Sequence, residues 1–174
     1  MERILLLGCS GSGKSTLART LGERLGLPVV HLDRLYWQSG WVNVTNEVFD
    51  ARLAEALQQP RWVIDGNYDR TLARRLTDCD TAVYLDYSRL MCLAGVCRRG
   101  AANRGRTRPD MAEGCPERVD AAFLRWIWNF RRKERPKALA LLDEAEKRGV
   151  TVLRFTSRRE CRKWMRSLPP MPKD

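Results

Sequence analysis

Short apolar runs alternate along the chain with longer segments in which apolar residues recur at helical spacing. The runs predict strands at 4–7, 29–31, 62–64, 82–85 and 150–155. The helical spacing predicts helices at 47–57, 117–130, 137–148 and 158–168, and the prolines at 169, 170 and 172 should end the last of them. Strands that alternate with helices are typical of an α/β fold, so we expect a five-stranded parallel sheet with helices on both faces.

The helix predicted at 117–130 has the clearest apolar pattern. Its apolar residues follow the spacing i, i+3, i+4, i+7, i+8, i+11, and they are Val119, Ala122, Phe123, Trp126, Ile127 and Phe130. Such a stripe normally packs against the rest of the protein. We therefore predict that Trp126 belongs to the core.

The residues between the first strand and the helix after it form a phosphate-binding motif. Positions 8–15 read Gly-Cys-Ser-Gly-Ser-Gly-Lys-Ser, the pattern G-x-x-x-x-G-K-[ST], and leucines at 17, 21 and 25 continue as a helix that stops at Gly26. Backbone N–H groups of such a loop cradle phosphate oxygens, while Lys14 reaches the β- and γ-phosphates and Ser15 binds Mg²⁺. We expect ATP and Mg²⁺ here, with nucleotide contacts from Gly8, Cys9, Ser10, Gly11, Ser12, Gly13, Lys14, Ser15 and Thr16.

Length and composition limit the class of protein. The 174 residues are 44% hydrophobic, which suits a single α/β domain over 1–174, and no run of about 18 apolar residues predicts a membrane helix. The first strand follows Met1 almost directly, so we expect no signal peptide and a cytoplasmic location. In that location the six cysteines are expected to be free thiols. The cysteines at 92, 97 and 115 could in principle bind zinc, but their spacing is a weak match to a zinc site. His31 is more typical of a core or strand-end histidine than of a ligand.

Positive charge is concentrated after residue 97. The net charge is +11, and residues 98–137 supply +7 of it from 12 basic and 5 acidic side chains, whereas residues 1–97 are neutral. Within this segment, residues 99–116 interleave glycines with arginines and contain few apolar residues. This composition indicates a lid that closes over a transferring phosphate, although a flexible basic loop has the same composition.

Carboxylates follow three of the predicted strands. Asp33 and Asp65 come just after the second and third strands, at the edge of a parallel sheet where ligands bind. One could bind Mg²⁺ and the other could accept the proton of an attacking hydroxyl. The sequence does not separate these roles, and our site prediction places Asp65 with Ser15 at the metal. Asp86, after the fourth strand, is expected to cap the next helix.

Aromatic residues accompany both carboxylates in and after a predicted acceptor-binding region at 34–61. Trp37 lies soon after Asp33, and Tyr68 lies soon after Asp65. These side chains could stack on an acceptor base or sugar, or they could form a packing hinge.

In their order along the chain, these motifs resemble the nucleoside monophosphate kinases and their relatives, such as shikimate and gluconate kinases. The chain looks in particular like the bacterial adenylate-kinase-like proteins called DNA topology modulation proteins. The resemblance covers the phosphate loop, the segments at 31–37, 62–71 and 83–99, and the arginine-rich stretch that continues to Lys137. It implies a P-loop α/β fold with an arginine-rich lid, and transfer of a phosphoryl group from ATP.

The resemblance also implies roles for arginines on the acceptor side. The segment 65–71 looks like the adenylate kinase motif D-G-F-P-R-T with one residue inserted, which makes Arg70 a candidate for the acceptor phosphate and Arg74 its reserve. The family helix before the lid carries two arginines four apart. Here they fall at Gly95 and Arg99, so one of them is missing.

Further nucleotide contacts are implied after the lid. Arg108 and Arg118 resemble the arginines that close on the phosphates, and Ser157, after the last strand, stands where such kinases hold the adenine ring.

The leading interpretation is a phosphotransferase that moves the γ-phosphoryl group of ATP to a nucleotide or a small hydroxylated acceptor. We expect Lys14, Asp33 and Arg99 to be catalytic, and acceptor contacts from Asp33, Trp37, Asp65, Tyr68, Arg70 and Arg74. The basic charge also permits a regulatory or nucleic-acid-binding ATPase, which we do not favour. A degenerate kinase that only binds ATP is a third interpretation, and Gly95 gives it weight.

Overall fold

A computed structural model describes residues 1–169 of the chain. Residues 170–174, with two of the prolines expected to end the last helix, lie outside the described part. The strands are β1 (Arg3–Gly8), β2 (Val29–His31), β3 (Trp37–Gln38), β4 (Val42–Asn43), β5 (Trp62–Asp65), β6 (Thr81–Leu85) and β7 (Thr151–Phe155). The helices are α1 (Lys14–Leu25), α2 (Leu32–Tyr36), α3 (Asn46–Gln58), α4 (Asp69–Asp78), α5 (Arg89–Ala102), α6 (Ala121–Lys133), α7 (Arg135–Lys147) and α8 (Arg158–Ser167).

Five of these strands form one parallel sheet, as predicted. Their order is β2-β5-β1-β6-β7, so β1 is central and β2 and β7 are the edges. The two short strands β3 and β4 pair with each other in a separate antiparallel ribbon. Because the sheet is parallel, the carboxyl ends of all five strands lie at the same edge, and this edge carries the phosphate loop after β1.

The side chains of β1 alternate between two buried clusters, one on each face of the sheet. Leu5 and Leu7 pack in the cluster that includes residues of α3, α4 and α7, whereas Ile4 and Leu6 pack in the cluster that includes residues of α1, α5 and α6. Side chains of a strand point alternately to opposite faces, so helices cover both sides of the sheet. In the described residues, no helix has the length and apolar character needed to span a membrane.

The structure corrects the predicted start of the helix at 117–130. The helix α6 begins at Ala121 because Asp120 caps it, with Asp120 Oδ1 accepting a hydrogen bond of 2.8 Å from the backbone N–H of Phe123. The prediction that Trp126 is a core residue is also wrong, because its side chain is 39% exposed. Of the stripe, Ile127 and Phe130 are buried.

The structure also corrects the expected role of Asp86. Its carboxylate does not cap α5, which is capped by Ser88 through a 3.3 Å hydrogen bond from the N–H of Met91. Instead Asp86 is buried and forms ion pairs of 2.8 Å with Arg135 and 2.5 Å with Arg154. These pairs tie the end of β6 to α7 and β7, beside the functional edge of the sheet.

Candidate functional site

A cleft of about 1020 Å³ opens at the carboxyl edge of the parallel sheet. Its floor is the phosphate loop, with residues 10–16 in the lining. On one side, beyond the ends of β5 and β2, the wall contains Asp33, Trp37 and residues 65–68; we call this the β2 side. On the other side, the wall comes from α5, α6 and α8, and we call this the β7 side.

The conformation of the phosphate loop depends on its glycines. Gly11 and Gly13 have φ angles of 80° and 100°, values that side chains rarely adopt. Lys14, the first residue of α1, folds back over the loop, and its Nζ donates a 3.2 Å hydrogen bond to the carbonyl oxygen of Cys9. The hydroxyl of Ser12 is buried and has no hydrogen-bond partner among residues 1–169. These features, with the N-terminus of α1 at the cleft, fit a bound polyphosphate.

A hydrogen bond connects the two halves of the β2 side. The hydroxyl of Tyr68 donates to Asp33 Oδ1 at 2.7 Å. Burial raises the pKa of Asp33, and the bond from Tyr68 only partly opposes it. Burial and the neighbouring Asp33 also raise the pKa of Tyr68, which therefore remains a donor. Asp33 is therefore a carboxyl group whose pKa lies above the ordinary aspartate value.

The register between β2 and β5 brings His31 and Asp65 side by side. They are paired positions of the sheet, and His31 Nδ1 lies 3.0 Å from Asp65 Oδ2. Both side chains are buried, as the sequence indicated for His31. The second oxygen of Asp65, Oδ1, is buried and has no hydrogen-bond partner in the described part of the chain. An oxygen in this state beside a phosphate loop fits a water molecule or an ion as its partner.

A further carboxylate reaches the loop from the segment predicted to be a lid. Asp110 is buried, lines the cleft and forms an ion pair with Arg108. Burial raises its pKa, but Arg108 and a hydrogen bond from Ser15 outweigh burial and hold the pKa below the ordinary value. We did not single out Asp110 from the sequence as a site residue. Its position depends on how the segment folds back to Ser15, for which the sequence carries no local signal.

Within the segment 99–116, both arginines that line the cleft are held by one carboxylate. Glu117 Oε1 accepts hydrogen bonds of 3.0 and 3.1 Å from Arg99, and Glu117 Oε2 lies 2.5 Å from Arg108 Nε. The Glu117 side chain is buried, and short bridges from 104 to 117 and from 107 to 116 close the segment on itself. The segment 99–116 is therefore ordered by ion pairs, with its positive charge partly neutralised.

Several predicted site residues lie outside the cleft lining. Gly8 and Cys9 are buried behind the loop, and a Cβ on Gly8 would come 2.6 Å from the carbonyl oxygen of Leu85. On the nucleotide side, Arg118 is 70% exposed and pairs with Asp120 at 3.2 Å. Ser157 caps α8 in a capping box with Glu160.

The predicted acceptor arginines also point elsewhere. Arg70 forms a bidentate pair with Asp50 at 2.6 and 2.9 Å on the surface, and Arg74 is exposed. The next arginine, Arg75, is buried and donates to the backbone carbonyls of residues 66–68. Arg75 therefore shapes the loop that carries Tyr68, a role that the sequence did not reveal.

Asn67 is another residue that sequence reasoning missed. It lines the cleft, accepts a 3.1 Å hydrogen bond from the N–H of Gly8 and donates one of 2.8 Å to the carbonyl of Gly8. This pair of bonds fixes the start of the phosphate loop to the end of β5.

The six cysteines are free thiols, and among residues 1–169 no group of three or more His, Cys, Asp or Glu side chains is arranged to hold a metal ion.

The phosphate loop, the parallel sheet and the cleft at its carboxyl edge define an α/β protein of the P-loop class. No family model matches the chain. The chain is 28% identical to an adenylate kinase from Mycobacterium leprae (strain Br4923) over 131 residues, which cover 58% of this chain and 72% of that protein, and equally to the protein of strain TN. A gluconokinase from Sinorhizobium meliloti 1021 matches with a TM-score of 0.46 and 19% identity, over 84% of this chain and 94% of that chain. The phosphate loop and the parallel sheet thus accompany a sequence that is similar to adenylate kinase.

Proposed function

We propose that the protein is an ATP-dependent phosphotransferase that moves the γ-phosphoryl group of ATP to a hydroxyl group of a small acceptor. One observation carries the proposal: a half-buried carboxyl group, Asp33, oriented by Tyr68, shares a single cleft with the phosphate-loop lysine, Lys14. A site that only binds ATP has no need of such a base across from the phosphate loop, whereas transfer to a hydroxyl group does. The similarity to adenylate kinase supports phosphoryl transfer in general.

The donor half is built around the loop. Its backbone N–H groups and Lys14 would hold the β- and γ-phosphates, and the hydroxyl of Ser15, with Asp65 nearby in the same cleft, would hold Mg²⁺. When bound, the ion neutralises charge on the phosphates. Arg99 and Arg108 would stabilise the charge that develops on the transferring group once it replaces Glu117 as their partner.

The acceptor half lacks the cations that a phosphate-bearing acceptor requires. In the described chain from 34 to 75, no arginine lines the cleft, and the segment contains no lysine. Arg70 is bound to Asp50, and Arg75 is bound to backbone carbonyls. Since phosphate is normally held by arginine or lysine, this side suits an uncharged hydroxylated compound, with Trp37 available for stacking on a sugar or base.

The proposed step follows from this arrangement. The acceptor oxygen attacks the γ-phosphorus, its proton passes to Asp33, the new O–P bond forms, and the bond to the β-phosphate oxygen breaks to release ADP. Tyr68 orients Asp33 by its hydrogen bond to Oδ1. Desolvation raises the pKa of this carboxyl group above its ordinary value, which favours acceptance of the proton.

The missing arginine at Gly95 is less damaging to this proposal than the sequence suggested. A Cβ on Gly95 would lie 2.1 Å from the carbonyl oxygen of Gly11, so α5 packs directly on the phosphate loop at this point. Glycine is therefore explained by close packing. The interpretation as a degenerate kinase loses the feature that favoured it.

An ATPase that binds nucleic acid remains the alternative. Arg89 lies 4.6 Å from the ring centre of Trp128, which is exposed on a basic face. Binding of a duplex through several phosphates should weaken steeply as salt is added, whereas turnover of an uncharged acceptor should change little. Weak, sequence-independent DNA binding would count against this alternative.

The proposal is tested by matched pairs of acceptors. Nucleosides and their monophosphates, with common sugars and polyols, are incubated with γ-labelled ATP and Mg²⁺. We expect the wild type to transfer the phosphoryl group to an uncharged acceptor. Asp33→Asn should keep its affinity for ATP but transfer at least about 100-fold more slowly, and Lys14→Ala should show no transfer. Asp50→Asn, a surface change in the acceptor region, should behave as wild type. Transfer only to monophosphates would refute the proposal of a hydroxyl acceptor. If the protein binds ATP but transfers phosphate to none of the compounds, the phosphotransferase proposal is refuted.

A further inference from the structure

Two aromatic rings on α6 line the β7 side of the cleft. Phe123 and Trp126 have ring centroids 6.1 Å apart and planes only 9° from parallel, and both belong to the lining. Trp126 also packs against the buried ring of Phe130, with centroids 5.3 Å apart at 66°. The ring of Trp126 is thus supported from below while 39% of the side chain stays accessible. A large, exposed and oriented aromatic surface in a cleft is typical of a binding platform.

The helix α5 runs from the phosphate loop towards these rings. It touches the loop at Gly95, and the residues at 98, 99 and 102 lie on the same face and line the cleft. A helix rises 1.5 Å per residue, so Ala102 lies about 10 Å beyond Gly95. Between these points, the guanidinium carbon of Arg99 lies 5.9 Å from the ring centre of Phe123. The aromatic pair therefore lies beside Arg99, in the part of the cleft into which α5 leads away from the phosphate loop.

The β7 side of the cleft also receives side chains from α8. Arg158, Arg162 and Met165 belong to the lining, so this side of the cleft presents aromatic, cationic and apolar groups. A nucleobase suits such a space, because its ring stacks on aromatic side chains and on guanidinium planes. Ser157, at the position implied for the adenine contact, is instead bound to Glu160 in the cap of α8.

We propose that Trp126, with Phe123 beside it, is the stacking platform for the base of the nucleotide donor. This inference rests on the proposed binding of ATP at the phosphate loop, and it adds a base subsite on α6. The ligand class is a nucleoside triphosphate, whose base lies over the α6 rings while its phosphates reach Lys14. Stacking recognises the face of a base, which adenine and guanine share, so ATP and GTP should bind with similar affinity.

The chain supplies a matched control for this inference. Trp128 is on the same helix, is 47% exposed and does not line the cleft in the described structure. The affinities of ATP and of inorganic tripolyphosphate are measured by calorimetry for wild type, Trp126→Ala, Trp126→Phe and Trp128→Ala. Tripolyphosphate reports the phosphate loop alone, so the ratio of the two affinities isolates the contribution of the nucleoside.

We expect Trp126→Ala to weaken ATP binding about ten-fold, the scale of one stacked base, and to leave tripolyphosphate binding unchanged. Trp126→Phe should keep most of the ATP affinity, and Trp128→Ala should alter neither ligand. Unchanged ATP affinity in Trp126→Ala, or an equal loss for both ligands, would overturn the platform. The binding measurement does not depend on phosphoryl transfer. If no compound is phosphorylated, the phosphotransferase proposal is refuted, but the test of the stacking platform remains valid. If Lys14→Ala binds ATP as well as wild type does, the phosphate site on which both proposals rest is wrong.

Discussion

Gly95 and Gly11 meet where α5 crosses the phosphate loop, so closely that a Cβ on Gly95 would lie 2.1 Å from the carbonyl oxygen of Gly11. We predict that Gly95→Ala destabilises the protein by about 1–3 kcal/mol, because a backbone atom has no rotamer with which to move aside. Helix propensity alone gives the opposite sign, since alanine is favoured over glycine by about 1 kcal/mol inside a helix. Urea unfolding measures the sign directly.

The same substitution should lower ATP affinity about ten-fold or more, since the displaced loop presents its N–H groups poorly. Ala94→Ser, at an exposed position next to Gly95 on α5, is the control and should change neither property. Gly95→Arg, which restores the family arginine, should be worse than Gly95→Ala. Recovery of activity by Gly95→Arg would contradict the packing explanation.

Arg75 and Tyr68 provide the second prediction. Arg75 is fully buried and donates to the carbonyl oxygens of Gly66 at 2.8 Å, of Tyr68 at 3.0 Å, and of Asn67. Burial lowers its pKa to about 9, so the guanidinium is still charged at neutral pH. These bonds hold Tyr68 at a φ of 39°, an uncommon value for tyrosine. Arg75→Met should cost about 3 kcal/mol, because the carbonyls of Gly66 and Asn67 lose their donor while that of Tyr68 keeps its bonds from Thr71.

Its neighbour Arg74 is the control, since it is exposed on the same helix. Arg74→Met should change the free energy of unfolding by less than about 0.5 kcal/mol. Thermal and urea unfolding of both variants check the difference. A similar loss in the two variants would contradict the assigned role of Arg75.

Comparison of these residues shows what the sequence could predict. The phosphate loop and the five strands follow from local signals, namely a glycine-rich motif and short apolar runs between turns. The role of Arg75 does not, because Arg70, Arg74 and Arg75 share one helix and only its packing on residues 66–68 decides which is buried. The prediction that Trp126 is a core residue is wrong for a related reason. An apolar stripe indicates that a helix face is covered, and it does not distinguish a core from a cleft that a ligand fills.

The pairing of Asp65 with His31 lies between these cases. The sequence places both at strand ends, yet their contact depends on the register His31↔Asp65 between β2 and β5, which the apolar pattern leaves open. The position of Asp110 could not be predicted from the sequence. It belongs to a segment with little apolar content, whose conformation depends on the ion pairs of Arg108 with Asp110 and with Glu117.

Glu117 gives the third prediction, because it holds both Arg99 and Arg108. Replacement by glutamine removes the charge that orders the segment 99–116, so this segment should open more often. We expect trypsin to cleave after Arg104 and Arg106 at least about five-fold faster in Glu117→Gln than in wild type. Bound ATP should restore protection if its phosphates take over the two arginines.

The control for this experiment is Glu113→Gln, an exposed carboxylate in the same segment. It should leave the cleavage rate unchanged. Equal cleavage of wild type and Glu117→Gln would mean that Glu117 does not order the segment. Faster cleavage without protection by ATP would mean that the two arginines do not engage the phosphates.

The last prediction concerns the pH dependence of stability through Asp69 and Glu134. Partial desolvation and a hydrogen bond with Glu134 raise the pKa of Asp69 to about 6, while the same contact lowers the pKa of Glu134. The unfolded chain has an aspartate pKa of about 3.9, so between about pH 4 and 6 the folded state binds more protons at Asp69. This group therefore stabilises the fold fully below about pH 4, and its contribution is lost as the pH rises through about 6. Asp69 is exposed, so solvent screening limits the effect to about 1 kcal/mol or less. Asp69→Asn should flatten the dependence of the unfolding free energy on pH between pH 4 and 6. The control Asp78→Asn, at the other end of α4, should keep the wild-type dependence. An unchanged dependence in Asp69→Asn would show that another group binds the proton.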